Sequence, residues 1–368
     1  MISSKNYIND NAALKEVIEL IRQEKLVALD TEFMRDKTYY PILSLIQIAV
    51  KKSGEQKLFI IDVLSGVDLE PFLEIIFDKK IIKILHSSLQ DLQIFCQKNN
   101  VVDQNILKNL SQSVFDTQIM ANFCGFDFNA GYSNLVEILL QKNIDKTLQR
   151  SDWQKRPLSL QQLEYAILDV IFLEEIYEKL LNILVKKNRQ KWYEEEVEIF
   201  ITKAISQSQE NLFKNFSLKG KSESQVIRIK NLILWREEWA KKLDLPRQHF
   251  IKDNVLERIV YSHNLDLNLD QEKINQIKEI MSCDIEKLNK KFAKDELNFA
   301  SDKQKNLYKK AKELIAKIAC EENLKEQLLI TSQNLKNLIY SKKQVQEVLV
   351  GWRYQVCGEH LKKLISEV

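Results

Sequence analysis

Four short apolar runs stand within the first 90 residues: LVALD (26–30), LSLIQIAV (43–50), KLFIIDVL (57–64) and IIKILH (81–86). They are rich in Val and Ile, and a Lys-Ser-Gly-Glu turn at 52–55 separates two of them. This is the pattern of neighbouring strands joined by turns. Leu14, Val17, Ile18 and Ile21 recur at helical spacing in 10–25, and PFLEIIFD (71–78) reads as a helix before the fourth run. From 87 to about 205 helical patterns dominate. The first half is therefore expected to form a mixed sheet covered by helices, an α/β domain.

The chain has 368 residues, which suits two or three domains. The spacing predicts a first domain over 1–205 and a polar linker over 206–222 containing Gly220. Helical modules follow at 223–298 and 299–368, the first with an amphipathic segment (231–246) that stops at Pro246. Charge is uneven. Residues 211–368 hold 30 basic and 22 acidic side chains, whereas 1–210 hold 25 and 30. An acidic half joined to a basic half points to a division of labour, with random surface drift in a lysine-rich chain as the alternative.

Several classes are excluded. With 7 Gly and no GxxxxGK[ST] or GxGxxG, a glycine-rich phosphate cradle is not expected. The five Cys are widely spaced, odd in number and without a CxxC pair, so neither a structural zinc site nor a disulfide framework is expected. That fits a reducing cytosol. The first ten residues, MISSKNYIND, do not read as a secretory signal. No uncharged apolar stretch approaches the roughly 18 residues of a membrane span.

The first run continues into "LVALDTEF", ending in two carboxylates. Side chains i and i+2 of a strand face the same way, so Asp30 and Glu32 project together. Two such charges need a counter-charge, and hard oxygen ligands suit Mg²⁺ or Mn²⁺. A solvated strand end is the simpler alternative for an isolated DxE. Two further segments add acids. After IIKILH, Ser87-x-x-Gln90 reads as a capping box, which starts a helix at Ser87 and puts Asp91 just past its first turn. In SDWQKRPLSLQQLEYAILDVIFL (151–173), Ser159-x-x-Gln162 reads as a second capping box. The helix it opens carries Tyr165 and Asp169 on one face, beside Ala166, Ile167, Leu168 and Val170. A phenol and a carboxylate among apolar neighbours need polar partners or a metal.

DTEF, HSSLQDL and YAILD resemble, in order, the three exonuclease motifs of the DEDD superfamily, and the Tyr four residues before the last Asp resembles its tyrosine subclass. "FMRDKTYYPILSLIQIA", "FDTQIMANFCGF", "GYSNLVE" and "DKTLQRSDWQKRPLSLQQLEYAILDV" resemble ribonuclease D. "LILWREEWAKKLDLPRQHFIKD" (232–253) is similar to the helical module that this family shares with some helicases, and "VLVGWRYQVCGEHL" (348–361) is similar to its C-terminal end. The resemblance implies a ribonuclease-H-like exonuclease domain followed by one or two small all-α modules. It implies that Asp30, Glu32, Asp91 and Asp169 hold two Mg²⁺ or Mn²⁺ ions for phosphodiester hydrolysis. Tyr165 would then orient the attacking water, because a phenol with a pKa of about 10 is a poor base at pH 7.

Other residues are weighed individually. His86 is expected to have a hydrogen-bonding role or to contact substrate. Arg156 is the favoured phosphate contact among Lys146, Arg150 and Arg156, against an ordinary ion pair. Gln47 is expected to satisfy a buried backbone group, Asp116 to cap a helix, Trp153 to pack under a loop, against stacking on a base, and Trp235 and Trp239 to pack in a core. The resulting expectation is a cytoplasmic, metal-dependent 3′→5′ exoribonuclease, monomeric and without a membrane partner. It would trim 3′ extensions of structured RNA such as tRNA precursors and release nucleoside 5′-monophosphates, with the basic helices gripping the RNA body. A DNA-directed exonuclease and a non-catalytic RNA-binding protein are the alternatives.

Overall fold

The computed structural model describes residues 6–99, 103–144, 151–205, 210–213, 216, 220–262, 268–285, 301–340 and 343–367. The chain forms two compact units. One comprises Met1–Phe33, Leu43–Ile205 and Glu296–Val368, the other Met34–Ile42 and Ser206–Asp295. No described helix is long and apolar enough to cross a membrane.

The first unit is built on a six-stranded sheet: β1 (Tyr7–Ile8), β2 (Leu26–Met34), β3 (Ile42–Lys52), β4 (Glu55–Asp62), β5 (Ile82–Leu85) and β6 (Val114–Asp116). Their spatial order is β1-β4-β3-β2-β5-β6. β3 and β4 are antiparallel, in register from Leu45 opposite Asp62 to Lys52 opposite Glu55. β1 on β4, β2 on β5 and β5 on β6 are parallel. Parallel strands are covered on both faces, which explains runs without alternation such as Val27, Ala28 and Leu29, all fully buried. The four expected runs are all strands. β1 and β6 are too short to leave a periodicity.

Among the described residues, nine α-helices of the first half belong to this unit: α1 (Asn11–Glu24), α2 (Glu70–Phe77), α3 (Leu89–Lys98), α4 (Gln104–Ser111), α5 (Thr117–Cys124), α6 (Tyr132–Leu140), α7 (Leu160–Leu168), α8 (Leu173–Lys186) and α9 (Gln190–Ile205). α1 shows the local logic. Asp10 caps it by accepting from the Ala12 and Ala13 amides, and Leu14, Val17, Ile18 and Ile21 form its buried stripe. The polar interruption Gln47 is fully buried on β3, and neither amide atom finds a hydrogen bond among the described residues. The expected backbone partner is not there.

The C-terminal stretch 299–368 does not stand apart as a second helical module. Its described residues pack into the same unit as the exonuclease sheet. Trp352 is fully buried, stacked on Trp192 at 5.4 Å and edge-on to Phe123 at 5.1 Å. Its backbone N–H donates to Glu195 at 2.7 Å, and Arg353 donates to Glu196 at 2.8 Å. Helical periodicity shows that an apolar face exists but not what covers it, which is why the stretch reads as a separate module in sequence.

The second unit has its own core. Helix Glu223–Lys242 opens on a capping box at Ser222 and buries Trp235 and Trp239. Both indoles donate to Gln276 Oε1, at 2.7 and 2.8 Å. The expected linker is partly structured: Glu210–Phe213 is helical and Phe216 is buried in this core. Residues 206–209, 214–215 and 217–219 of that linker lie outside the described residues, as do residues 286–300, where the two helical modules are expected to meet.

Candidate active site

β2 leaves the core at Asp30 and brings Asp30 and Glu32 to one pocket. The same pocket is lined by Asp91, Tyr165 and Asp169, so all five residues expected to do chemistry share one site. Thr31, Phe33, His86, Ser87, Gln90, Gln118, Gly131 and Tyr132 complete the described lining, which contains no lysine or arginine.

Asp91 arrives by a route that differs in detail from the expected capping box. The N-cap of α3 is Ser88, one residue later than expected, the helix runs from Leu89, and the Ser88 side chain makes no cap hydrogen bond. Ser87 adopts a left-handed φ of 58°, and Asp116 holds the turn. The Asp116 carboxylate accepts from the Ser87 and Ser88 amides at 3.2 and 2.7 Å and from the Ser88 hydroxyl at 2.8 Å. It also caps α5 through the Gln118 and Ile119 amides, at 2.8 and 3.2 Å. The expected cap is thus also the clamp that aims the start of α3, and Asp91 falls within the first turn, where the helix dipole favours a negative charge. Thr31, the residue between the two strand acids, donates its hydroxyl to Asp91.

α7 does begin with the expected capping box at Ser159. Tyr165 is buried in its middle, and Asp169 is its C-cap. A carboxylate at a helix C-terminus faces the negative end of the dipole, so Asp169 adds to the demand for a cation. Trp153 is buried, with its ring 6.0 Å from that of Tyr165, a packing role. Arg156 corrects the favoured phosphate contact. Its guanidinium donates to Asp62 at 2.8 and 2.5 Å, to the Trp153 and Lys155 carbonyls at 2.7 and 3.0 Å, and to the Ser44 carbonyl at 3.3 Å. All five N–H donors are thereby used inside the protein. Arg156 ties the loop before α7 to the sheet and is absent from the pocket lining. Lys146 and Arg150 lie outside the described residues.

The electrostatics follow from packing acids together. Burial, then repulsion from Asp91, Asp169 and Glu32, raises the Asp30 carboxyl well above the ordinary carboxylate range. Burial and the charges of Asp169 and Asp91 push Glu32 up to about 9. Asp91 is raised to about 7, mainly by burial, with the Thr31 hydrogen bond acting against the rise. Tyr165 is also raised, by burial, by the charges of Asp169, Glu32 and Asp30, and by a hydrogen bond to Asp169. It therefore keeps its proton at neutral pH, which suits a group that orients rather than deprotonates.

His86 lies on the pocket wall, and its Nδ1 is 2.9 Å from Thr117 Oγ1. The Thr117 hydroxyl donates to the Leu85 carbonyl at 3.0 Å, so it accepts from His86 Nδ1–H. The expected hydrogen-bonding role is present, and the ring also faces the pocket. Tyr132 supports the other side, its ring 5.7 Å from His86 and its hydroxyl accepting from the Phe172 amide at 3.1 Å. Thr31, Thr117 and Tyr132 were not singled out in the sequence. Only Thr31 carried a signal, its place inside DTE.

The donor set fits hard divalent cations: four carboxylates and a hydroxyl, without sulfur and without a lysine or arginine in the described lining. Among the described residues no three His, Cys, Asp or Glu side chains form a ready-made cage. Mg²⁺ does not require one, since it keeps several waters and is commonly held by one or two carboxylates together with substrate phosphates.

An interior strand carrying DxE near its C-terminal end, an acid in the first turn of α3 and a Tyr–Asp pair closing α7 define a 3′→5′ exonuclease. A family model described as 3′-5′ exonuclease matches residues 6–185. Ribonuclease D of Bartonella henselae is 28% identical across 98% of the chain and 89% of its own length. Ribonuclease D of Desulfotalea psychrophila is 34% identical across 69% of the chain and 66% of its own length. Among solved structures, Escherichia coli RNase D, an exoribonuclease involved in structured RNA processing, matches with a TM-score of 0.74 and 25% identity over 98% of both chains. The chain belongs to the ribonuclease D family, a family of 3′→5′ exoribonucleases.

Proposed function

We propose that this chain trims 3′ extensions of structured RNA in the cytoplasm, tRNA precursors among them, and releases nucleoside 5′-monophosphates. The observation that carries the reading is the meeting of Asp30, Glu32, Asp91 and Asp169 in one pocket whose described lining has no lysine or arginine. Divalent ions held by these four carboxylates would supply charge neutralisation at the scissile phosphate and a lower pKa for the attacking water.

The protein's own groups do the positioning. Tyr165, protonated and hydrogen-bonded to Asp169, offers its hydroxyl to orient a water for in-line attack. Phe33, His86 and Tyr132 present ring surfaces on the pocket wall for the terminal nucleotide. Attack at the phosphorus breaks the bond to the upstream 3′-oxygen. The products are a nucleoside 5′-monophosphate and an RNA one residue shorter with a 3′-hydroxyl.

The test is product analysis on a tRNA carrying a 3′ extension, with Mg²⁺ and with chelator, beside a DNA strand of equal sequence. Stepwise release of 5′-mononucleotides from RNA only when metal is present fits the proposal. Equal or faster attack on DNA would move the reading to a DNA-directed exonuclease.

A further inference from the structure

Residues Met34–Ile42, between β2 and β3, fold with the helical unit and not with the sheet from which they emerge. The chain passes Glu32 and Phe33 and then enters a buried anchor. Tyr39, 5% exposed, donates its hydroxyl to Glu237, itself 6% exposed. Arg247 grips the same carboxylate with two N–H groups, through Nε to Oε2 and through Nη2 to Oε1 at 2.7 Å. The Arg247 guanidinium also lies over the Tyr39 ring, 5.4 Å from its centre. A further bond joins the Tyr40 amide to Asp244 at 3.0 Å. Bidentate arginine–carboxylate pairs are strong and geometrically specific. A partner removed from the buried Glu237 carboxylate leaves its charge less well satisfied.

A connection between two neighbouring strands needs only to turn. This one is tied at Tyr39, seven residues beyond a site acid, to the buried carboxylate of Glu237, although both of its ends belong to the sheet. A carboxylate that must hold its place within about 0.5 Å depends on what restrains its backbone. Glu32 sits near the end of β2, with only Phe33 and Met34 of the strand after it.

We propose that Tyr39 and Glu237, with Arg247, are positioning residues for the reaction: they fix the exit of β2 and thereby the placement of Glu32. The inference rests on the reading of Glu32 as a site acid. It gives the helical unit a part in catalysis distinct from any grip on RNA.

The test uses the full-length protein and compares Tyr39→Phe and Glu237→Gln with wild type. Backbone hydrogen exchange is followed in chelator across residues 30–34, with 82–85 of β5 as the internal reference. Turnover is measured on a p-nitrophenyl ester of thymidine 5′-monophosphate, a probe too small to extend along an RNA site. The expected result is exchange at 30–34 faster by about tenfold, the scale of one lost hydrogen bond to a charged group, with β5 unchanged. On the ester, kcat falls by a similar factor and KM stays within about twofold. Unchanged exchange at 30–34 with an unchanged kcat overturns the proposal, whatever happens to RNA affinity. If Glu237→Gln loses its fold, Tyr39→Phe decides, since it keeps the ring and removes one hydroxyl. Asp30→Asn is run in parallel. Full activity there defeats the metal reading, while the exchange data still decide whether the anchor restrains β2.

Discussion

The Thr31 hydroxyl donates to the Asp91 carboxylate, joining the middle residue of the DTE strand to the first turn of α3. Thr31 is buried, and this bond opposes the burial that raises Asp91 to about 7. Thr31→Val keeps the β-branched shape and removes the donor. A buried acceptor left unsatisfied costs about 1–3 kcal/mol. The expected outcome is an increase of roughly tenfold in the Mg²⁺ concentration that gives half-maximal activity, with the fold retained, and recovery in Thr31→Ser. A metal titration of the three proteins checks it; identical curves would remove Thr31 from the site.

Tyr165→Phe is expected to reduce turnover by about 10²-fold, in the range of a positioned acid–base group. RNA affinity measured in chelator stays at the wild-type value, because the ring still fills the buried face of α7. Single-turnover rates equal to wild type would make Tyr165 a packing residue.

Asp30→Asn and Asp169→Asn each remove a charge from the set expected to hold the metals. Loss of several orders of magnitude in turnover is expected at saturating Mg²⁺. Circular dichroism should show an intact fold. Near-normal turnover in either variant would defeat the assignment of these acids as metal ligands.

The raised acids also set a pH dependence of stability. Glu32 titrates at about 9 in the folded protein and near 4.3 in the unfolded chain. Between those values the metal-free folded state holds the extra proton, so Glu32 lowers stability as pH rises. Lys83, buried and depressed to about 7, works in the opposite sense above that pH. Comparison of wild type with Glu32→Gln separates the two. In chelator, Glu32→Gln should have the higher Tm, by a margin that grows from pH 6 to pH 9. A margin that is flat or shrinks would show that Glu32 is not crowded by its neighbours.

The sequence disclosed the strands and the five pocket residues because each is local: a run, a DxE spacing, a Tyr–Asp pair at i and i+4. What it concealed is long-range. The start of α3 is fixed by Asp116, 28 residues from Ser88, and that contact displaces the capping box the local pattern spells. Arg156 looked available for phosphate because its partner Asp62 lies 94 residues away. Tyr39 and Glu237, 198 residues apart, leave no local trace of their contact.

The same distinction decides what the last 70 residues do. Their lysines invite the reading that they only hold RNA, since phosphate contacts dominate such binding. Yet Trp352 is fully buried against Trp192 and Phe123, and Arg353 and the Trp352 amide use Glu196 and Glu195 of α9. Trp352→Ala should therefore destabilise the exonuclease unit by about 3–5 kcal/mol, the range for an emptied aromatic site in a core. Deletion of 299–368 should expose the same surface and leave an exonuclease that unfolds or aggregates. Urea denaturation of Trp352→Ala, followed by far-ultraviolet circular dichroism, checks the first expectation. Hydrolysis of the mononucleotide ester by the deletion variant checks the second. If the deletion variant stays folded and cleaves the ester normally while losing only tRNA affinity and its salt dependence, the segment serves as an RNA grip and its packing against α9 is dispensable.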